Sequence, residues 1–263
     1  MLPEPDFQMT QAVAARPTLL SVNVNAVAYL RNRREVPWPD LIDISRAILQ
    51  AGAHGITVHP RPDERHIRFS DLPALSRLIA EEFPQAEFNI EGYPTRHFID
   101  LVLENKPHQV TLVPDTPEQS TSDHGWDFAA DGEMLLPIAE EFKAAGIRVS
   151  YFVDANPADP ALAQQAGADR IEFYTGPYAD QTDPDATIRE LEMIRDTANE
   201  ARALGNLMMN AGHDLTVENL PRLRQAIPDL AEVSIGHGLT ADALMLGFPE
   251  AVRRYLRVLG HDA

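Results

Sequence analysis

An eightfold alternation constrains the fold of this chain more than any other feature. Short β-rich runs with a polar or glycine-bearing tail recur at 18–25 (TLLSVNVN), 55–61 (GITVHPR), 86–92 (AEFNIEG) and 109–115 (QVTLVPD). They continue at 148–155 (RVSYFVDA), 170–176 (RIEFYTG), 206–214 (NLMMNAGHD) and 232–238 (EVSIGHG). Their apolar parts read as continuous or nearly so, as expected of strands buried on both faces of a parallel sheet. Helical stretches lie between them, as at 41–53, 72–83, 134–146 and 187–205, with apolar residues three and four apart and charges on the other face. Ala51-Gly52, Ala145-Gly146 and Ala166-Gly167 stand where a glycine just past a helix would turn the chain into the next strand. Eight alternations in 263 residues, joined by right-handed crossovers, predict an α/β fold. The expected architecture is one closed (β/α)8 TIM barrel with extra helices over 18–263, preceded by a flexible leader at 1–17. An open doubly wound sheet is the runner-up, but neither G-x-G-x-x-G nor G-x-x-x-x-G-K-[ST] follows any run. The longest interval, between runs four and five, contains 116–133, which has the polar composition of an active-site loop.

Composition narrows the function classes. The chain has no cysteine, so disulfides, a thiolate nucleophile and Cys-ligated metal sites are excluded. Its 22 Lys+Arg against 40 Asp+Glu give a net charge of −18, which disfavours binding along nucleic-acid phosphates. An anionic small molecule would need a local cationic or N–H-rich pocket. The start of the sequence lacks a basic segment followed by an apolar one, and no stretch approaches the roughly 18 apolar residues of a membrane span. The expectation is a soluble cytoplasmic protein with no membrane partner.

In a barrel of this kind the strand C-termini surround the active site. They carry Asn23 and Asn25, His59 and Arg61, Glu91, Asp115, Asp154, Glu172, His213 and Asp214, then Gly236-His237-Gly238. Three of the nine histidines and Glu91 thus fall at equivalent places on four strands. Two histidines and a glutamate suit proton transfer near neutrality. The ordinary alternative is a set of hydrogen-bonded or ion-paired strand-end residues. Arg61, Arg65 and His66 resemble an anion clamp or a solvated basic loop. Arg31, Arg33 and Arg34 form either an anion site or a charge-balancing turn. Gly236 and Gly238 would let backbone N–H groups approach an oxyanion, or would form a plain strand-to-helix turn. Zinc or iron on the histidines is a further option, but Asn-Val-Asn stands on the first strand where a metallohydrolase barrel commonly has His-x-His.

The segments VNVNAVAYLRNRR, GAHGITVHPRPDERHI, FNIEG, KPHQVTLVPD, GIRVSYFVDA, EFYTGPYAD, NAGHDLT and SIGH, in order from about 19 to 258, resemble one family. It is the pyridoxine 5′-phosphate synthase family of the deoxyxylulose-dependent vitamin B6 pathway. The resemblance implies condensation of 3-amino-2-oxopropyl phosphate with 1-deoxy-D-xylulose 5-phosphate to pyridoxine 5′-phosphate, phosphate and water. It implies no metal or organic cofactor, small phosphorylated substrates, no nucleic-acid partner, and a homo-octamer. By motif, His59 and Glu91 would be proton acceptors and His213 a proton donor. Arg61, His66 and Thr121 would contact deoxyxylulose phosphate, and Asn23, Arg34, Gly236 and His237 the aminoketone phosphate.

Three positions depart from the family pattern. Asn25 and Ala26 stand where Asp-His is typical, and Asp214 stands where the family has glycine beside the aminoketone phosphate. A carboxylate facing that phosphate would cost about 3–4 kcal/mol per charge pair. Two alternatives stand beside the synthase reading: a metal-dependent barrel hydrolase or isomerase and, motivated by these departures, a catalytically silent phosphometabolite-binding barrel.

Overall fold

Eight short parallel strands close on themselves: β1 (Leu19–Asn23), β2 (Gly55–Val58), β3 (Glu87–Gly92), β4 (Gln109–Leu112), β5 (Arg148–Val153), β6 (Arg170–Tyr174), β7 (Met208–Gly212) and β8 (Glu232–Ile235). Each pairs with the next, and β8 returns to β1 with Leu19 opposite Glu232 and Ser21 opposite Ser234. The computed structural model describes residues 16–116, 119 and 121–263. The (β/α)8 barrel expected from the alternation is therefore the fold, and all eight runs contain a strand. Most of the expected leader, 1–15, lies outside the described residues.

The strands differ from the sequence reading in one respect. Their apolar residues alternate with polar ones that bond to each other across the barrel interior. Ser21 Oγ lies 2.7 Å from Thr57 Oγ1, Thr111 Oγ1 donates to Asn89 Oδ1 (3.1 Å) and Arg170 Nη1 to Gln109 Oε1 (3.0 Å). The alternate positions, among them Val22, Ile56, Ile90, Val110, Ile171 and Val233, are wholly buried beneath the helices. Each such side chain contributes about 1.5–3 kcal/mol. Tyr151 joins the two layers, donating its hydroxyl to Ala166 O (2.8 Å) at a helix end. Hydrophobic adhesion thus lies outside the sheet, where a barrel of this class commonly fills its interior with branched aliphatic side chains.

Local chemistry sets the helix ends. Asp40 caps Leu41–Gln50 by accepting from the amides of Ile42 and Asp43, and Asp183 caps Pro184–Ala203. Gly52 and Gly167 leave helices at φ of 107° and 95°, a region that favours glycine. The stretch expected at 134–146 is a helix from Phe128 to Ala144, begun by the cap of Asp127. Three helices bear on the strand C-termini or close the chain: Asn25–Asn32, directly after β1, His237–Leu246, directly after β8, and Phe248–Val258. Among the described residues no helix is long and apolar enough to cross a membrane.

Candidate active site

The strand C-termini open into a cavity of about 640 Å³. Of the twelve residues singled out from sequence, eleven line it: Asn23, Asn25, His59, Arg61, His66, Glu91, Thr121, His213, Asp214, Gly236 and His237. Arg34 does not; it is exposed beyond the helix Asn25–Asn32. Its neighbours are engaged elsewhere. Arg31 is paired with Asp71 (2.7 Å) and donates to His66 O (3.1 Å), while the Arg33 guanidinium sits 5.9 Å from the Tyr29 ring centre.

The two asparagines act as brackets. Asn23 Nδ2 donates to Glu91 Oε2 (3.2 Å), and Asn23 Oδ1 accepts from the Asn25 amide (3.0 Å). Asn25 Oδ1 in turn accepts from the His59 amide (2.9 Å). Asn25 thus keeps the hydrogen-bonding role at its position, whereas Ala26 lines the cavity as a bare methyl. Burial drives the His59 imidazole well below its ordinary range, and Arg61 and His66 add to the effect. Burial with Arg61 and Arg65 pushes His66 down to about 4. Both rings are neutral at pH 7. His66 Nδ1 accepts from the Ile67 amide (2.9 Å), which leaves Nε2 to carry the ring proton.

Arg61 is buried and ion-paired with Asp115, which also accepts from Ser122 Oγ (2.8 Å). Arg65 is paired with Asp63 at 2.8 Å, and both guanidiniums donate to Gln119 O, at 3.0 Å from Arg61 and 2.9 Å from Arg65. This cationic group fastens the segment after β4. Beyond the wall made by His59 and Arg61 lies a second, largely apolar cavity of about 680 Å³, flanked by Tyr93, Phe98 and Trp126.

Glu91 is buried, and its carboxyl is pushed well up by burial, then by Glu172 and Asp115. Glu172, on β6, is buried in the same wall and pushed up to about 7 by burial, with Arg170 and His213 opposing. Glu172 stands at a strand end in the sequence but outside the twelve residues expected in the site. The available signal was its spacing: it shares an inward face with Arg170, two residues earlier in RIEFYTG.

His213 and Asp214 follow β7 in left-handed backbone, at φ of 82° and 55°. Thr175 Oγ1 fixes that turn by donating to Gly212 O (2.7 Å) and His213 O (2.6 Å). His213 Nε2 lies 2.8 Å from Thr121 Oγ1, and its Nδ1 lies 2.6 Å from Asp214 Oδ2. The Asp214 side chain therefore turns to the histidine, which holds its carboxyl below the usual range. Gly236 begins the helix His237–Leu246, directly after β8, so Gly236 and His237 bring a helix N-terminus to the cavity wall, whereas Gly238 packs against Leu215. A Cβ on Gly236 would stand 3.2 Å from the backbone oxygen of Asn23, tighter than ordinary packing. Among the described residues no group of three or more His, Cys, Asp or Glu is arranged to hold a metal ion.

The family model for pyridoxal phosphate biosynthesis protein PdxJ matches residues 20–261. The chain belongs to the PdxJ family. Pyridoxine 5′-phosphate synthase of Brucella anthropi is 60% identical over 244 residues, covering 92% of this chain and 99% of the relative. That of Mesorhizobium japonicum is 60% identical over 245 residues, covering 93% and 99%. Among solved structures, tryptophan synthase subunit alpha from Legionella pneumophila superposes with a TM-score of 0.62 at 12% identity, covering 92% of each chain. Thiamine phosphate pyrophosphorylase from Pyrococcus furiosus gives 0.58 at 14%, covering 92% of this chain and 95% of the other. At those identities the chain shares with them the barrel alone.

Proposed function

We propose that this chain is an enzyme of pyridoxine biosynthesis, a pyridoxine 5′-phosphate synthase that joins 3-amino-2-oxopropyl phosphate to 1-deoxy-D-xylulose 5-phosphate. The observation that carries the reading is the meeting of His59, Glu91 and His213, from three strands, around one cavity. Imine formation, loss of phosphate and water, and ring closure each move a proton. Neutral His59 takes protons. Glu91, a strong base once ionised because it is buried, takes them at a second point. His213, reached by Thr121 on one nitrogen and Asp214 on the other, delivers one to a leaving group. Each well-placed acid or base contributes roughly 10²–10⁴-fold, and holding both substrates together adds the advantage of proximity.

The amides at the start of His237–Leu246, with Asn23 and His237, suit the aminoketone phosphate. Arg61, His66 and Thr121 suit the other substrate. Because Arg61 is paired with Asp115, a phosphate would compete with that carboxylate for it. No cofactor enters the proposed chemistry. The homo-oligomer belongs to the same reading: exposed Tyr29, Leu30, Leu244 and Met245 lie on the adjoining helices Asn25–Asn32 and His237–Leu246. So does a cytoplasmic setting.

The deciding experiment mixes purified protein with both substrates and follows pyridoxine phosphate absorbance. The parent should turn over without stoichiometric metal, and His59→Asn, Glu91→Gln and His213→Asn should each lose at least about 100-fold in kcat. Binding of phosphates without turnover would favour a silent barrel. Turnover that requires bound zinc or iron would favour the metal-dependent class.

A further inference from the structure

We propose that Arg170 is a positioning residue for the reaction: fixed in the layer beneath the cavity, its guanidinium sets the charge that Glu172 carries in the cavity wall. The proposal rests on the functional reading above, which makes the cavity that Glu172 lines the place of reaction.

Arg170 and Glu172 are two residues apart on β6, so both face the barrel axis, one layer above the other. Arg170 is buried, with Nη1 donating to Gln109 Oε1 (3.0 Å) and Glu87 Oε1 (3.3 Å) and standing 3.8 Å from Glu232 Oε2. Glu172 is aligned with Asn210 on β7, and Asn210 with Glu232 on β8. Asn210 Nδ2 donates to Glu232 Oε1 (3.2 Å), so the three strands tie the two layers together.

The lower layer has a surplus of positive charge. Glu87 is engaged at 2.6 Å by Arg148. Glu232, wholly buried, is pushed up to about 8, first by burial and then by Glu87, so it keeps its proton at neutrality and does not cancel Arg170. Of two arginines and two glutamates, one positive charge therefore remains under Glu172. The groups that face Glu172 are Glu91 from β3, His213 from the end of β7, Glu232 from β8 and Arg170 on its own strand. From β5 come Ser150 and Phe152, which are uncharged. Burial opposes a charge on Glu172; Arg170 from below and His213 from beside it favour one. Arg170 thereby lets Glu172 be ionised at working pH, where it can stabilise the cationic imine and imidazolium stages of the reaction.

The test uses the full-length enzyme and reads the carboxyl and turnover separately. Carboxyl-carbon NMR of glutamate-labelled protein gives the titration midpoint of Glu172, assigned by the resonance lost in Glu172→Gln; kcat is measured across the same pH range. Arg170→Gln, which keeps hydrogen bonding without charge, should raise the midpoint by about 1–2 pH units and carry the acid limb of kcat with it. Arg170→Lys should restore both to within about half a unit. Glu87→Gln, which removes a negative charge from the same layer, should move both the other way, so the proposal stays testable even where Arg170→Gln does not fold. Midpoints in the folded variants that coincide with the parent's overturn the proposal. So does a loss of kcat with an unshifted pH profile, which would make Arg170 merely structural. A parent that makes no pyridoxine phosphate refutes the functional reading instead, while the carboxyl titration still reports on Arg170.

Discussion

A histidine at φ 82° followed by an aspartate at φ 55° is an arrangement that backbone sterics disfavour and that other contacts must maintain. Thr175 supplies them from below and Thr121 from above. Asp214 then has a defined place, its carboxylate 2.6 Å from His213 Nδ1. Asp214→Gly should lower kcat about tenfold, the equivalent of one charged contact, with KM for the aminoketone phosphate unchanged. A fall in KM would mean that the carboxylate faces the phosphate after all. The position of Asp214 beside the site was legible in N-A-G-H-D-L-T, but its direction was not, since a one-dimensional pattern does not specify which neighbour a side chain turns to. The same holds for Arg34, whose motif is present although the residue lies away from the cavity. His66 offers a test of stability. Its folded ring is held at about 4 against about 6.5 when unfolded, so its contribution is complete above pH 6.5 and is lost as pH falls toward 4. His66→Asn should remove on the order of 2–3 kcal/mol of that acid loss, read from urea melts at pH 7 and pH 4.5.

The segment after β4 is the element on which the site most depends. It is fastened at its start by Asp115 to Arg61 and at its end by Trp126, whose Nε1 donates to Leu112 O (2.8 Å). Next to it, the Gly125 amide donates to Asp154 Oδ1 (3.0 Å). A Cβ on Gly125 would stand 2.6 Å from the backbone of Val153, which is strand and cannot yield. Gly125→Ala should therefore cost about 1–3 kcal/mol in denaturant melts and raise KM by displacing Thr121 from His213. Polar composition marked this loop in the sequence, but its end was misplaced. Apolar spacing becomes regular only at Met134, whereas the helix begins at Phe128 because Asp127 caps it. The helix Asn25–Asn32 was hidden for a related reason. The β alternation of TLLSVNVN runs on to Asn25 in sequence, and the change to a helical period falls inside it.

For the molecule as a whole, the alternation of strands and helices was enough to read a closed barrel, because few other topologies accommodate eight parallel strands in a chain this short. The composition of its interior was not read, since S, T, N and Q between apolar residues look the same whether they face solvent, a lumen or nothing. That interior shapes the pH response. Glu172 and Glu232 are held at about 7 and about 8 when folded against about 4.3 when unfolded. Their stabilising contribution is complete below the unfolded value and is lost as pH rises through 7 and 8. Glu232→Gln should recover roughly 3–5 kcal/mol of the stability that the parent loses between pH 5 and pH 9, measured by chemical denaturation. The hydrogen-bonded lumen has a further consequence. Since the glue of this barrel is on its outer face, balanced sets of axial side chains are exchangeable without repacking the shell. Descendants of the scaffold are then free to acquire new reactivities by rewriting a few inward letters per strand.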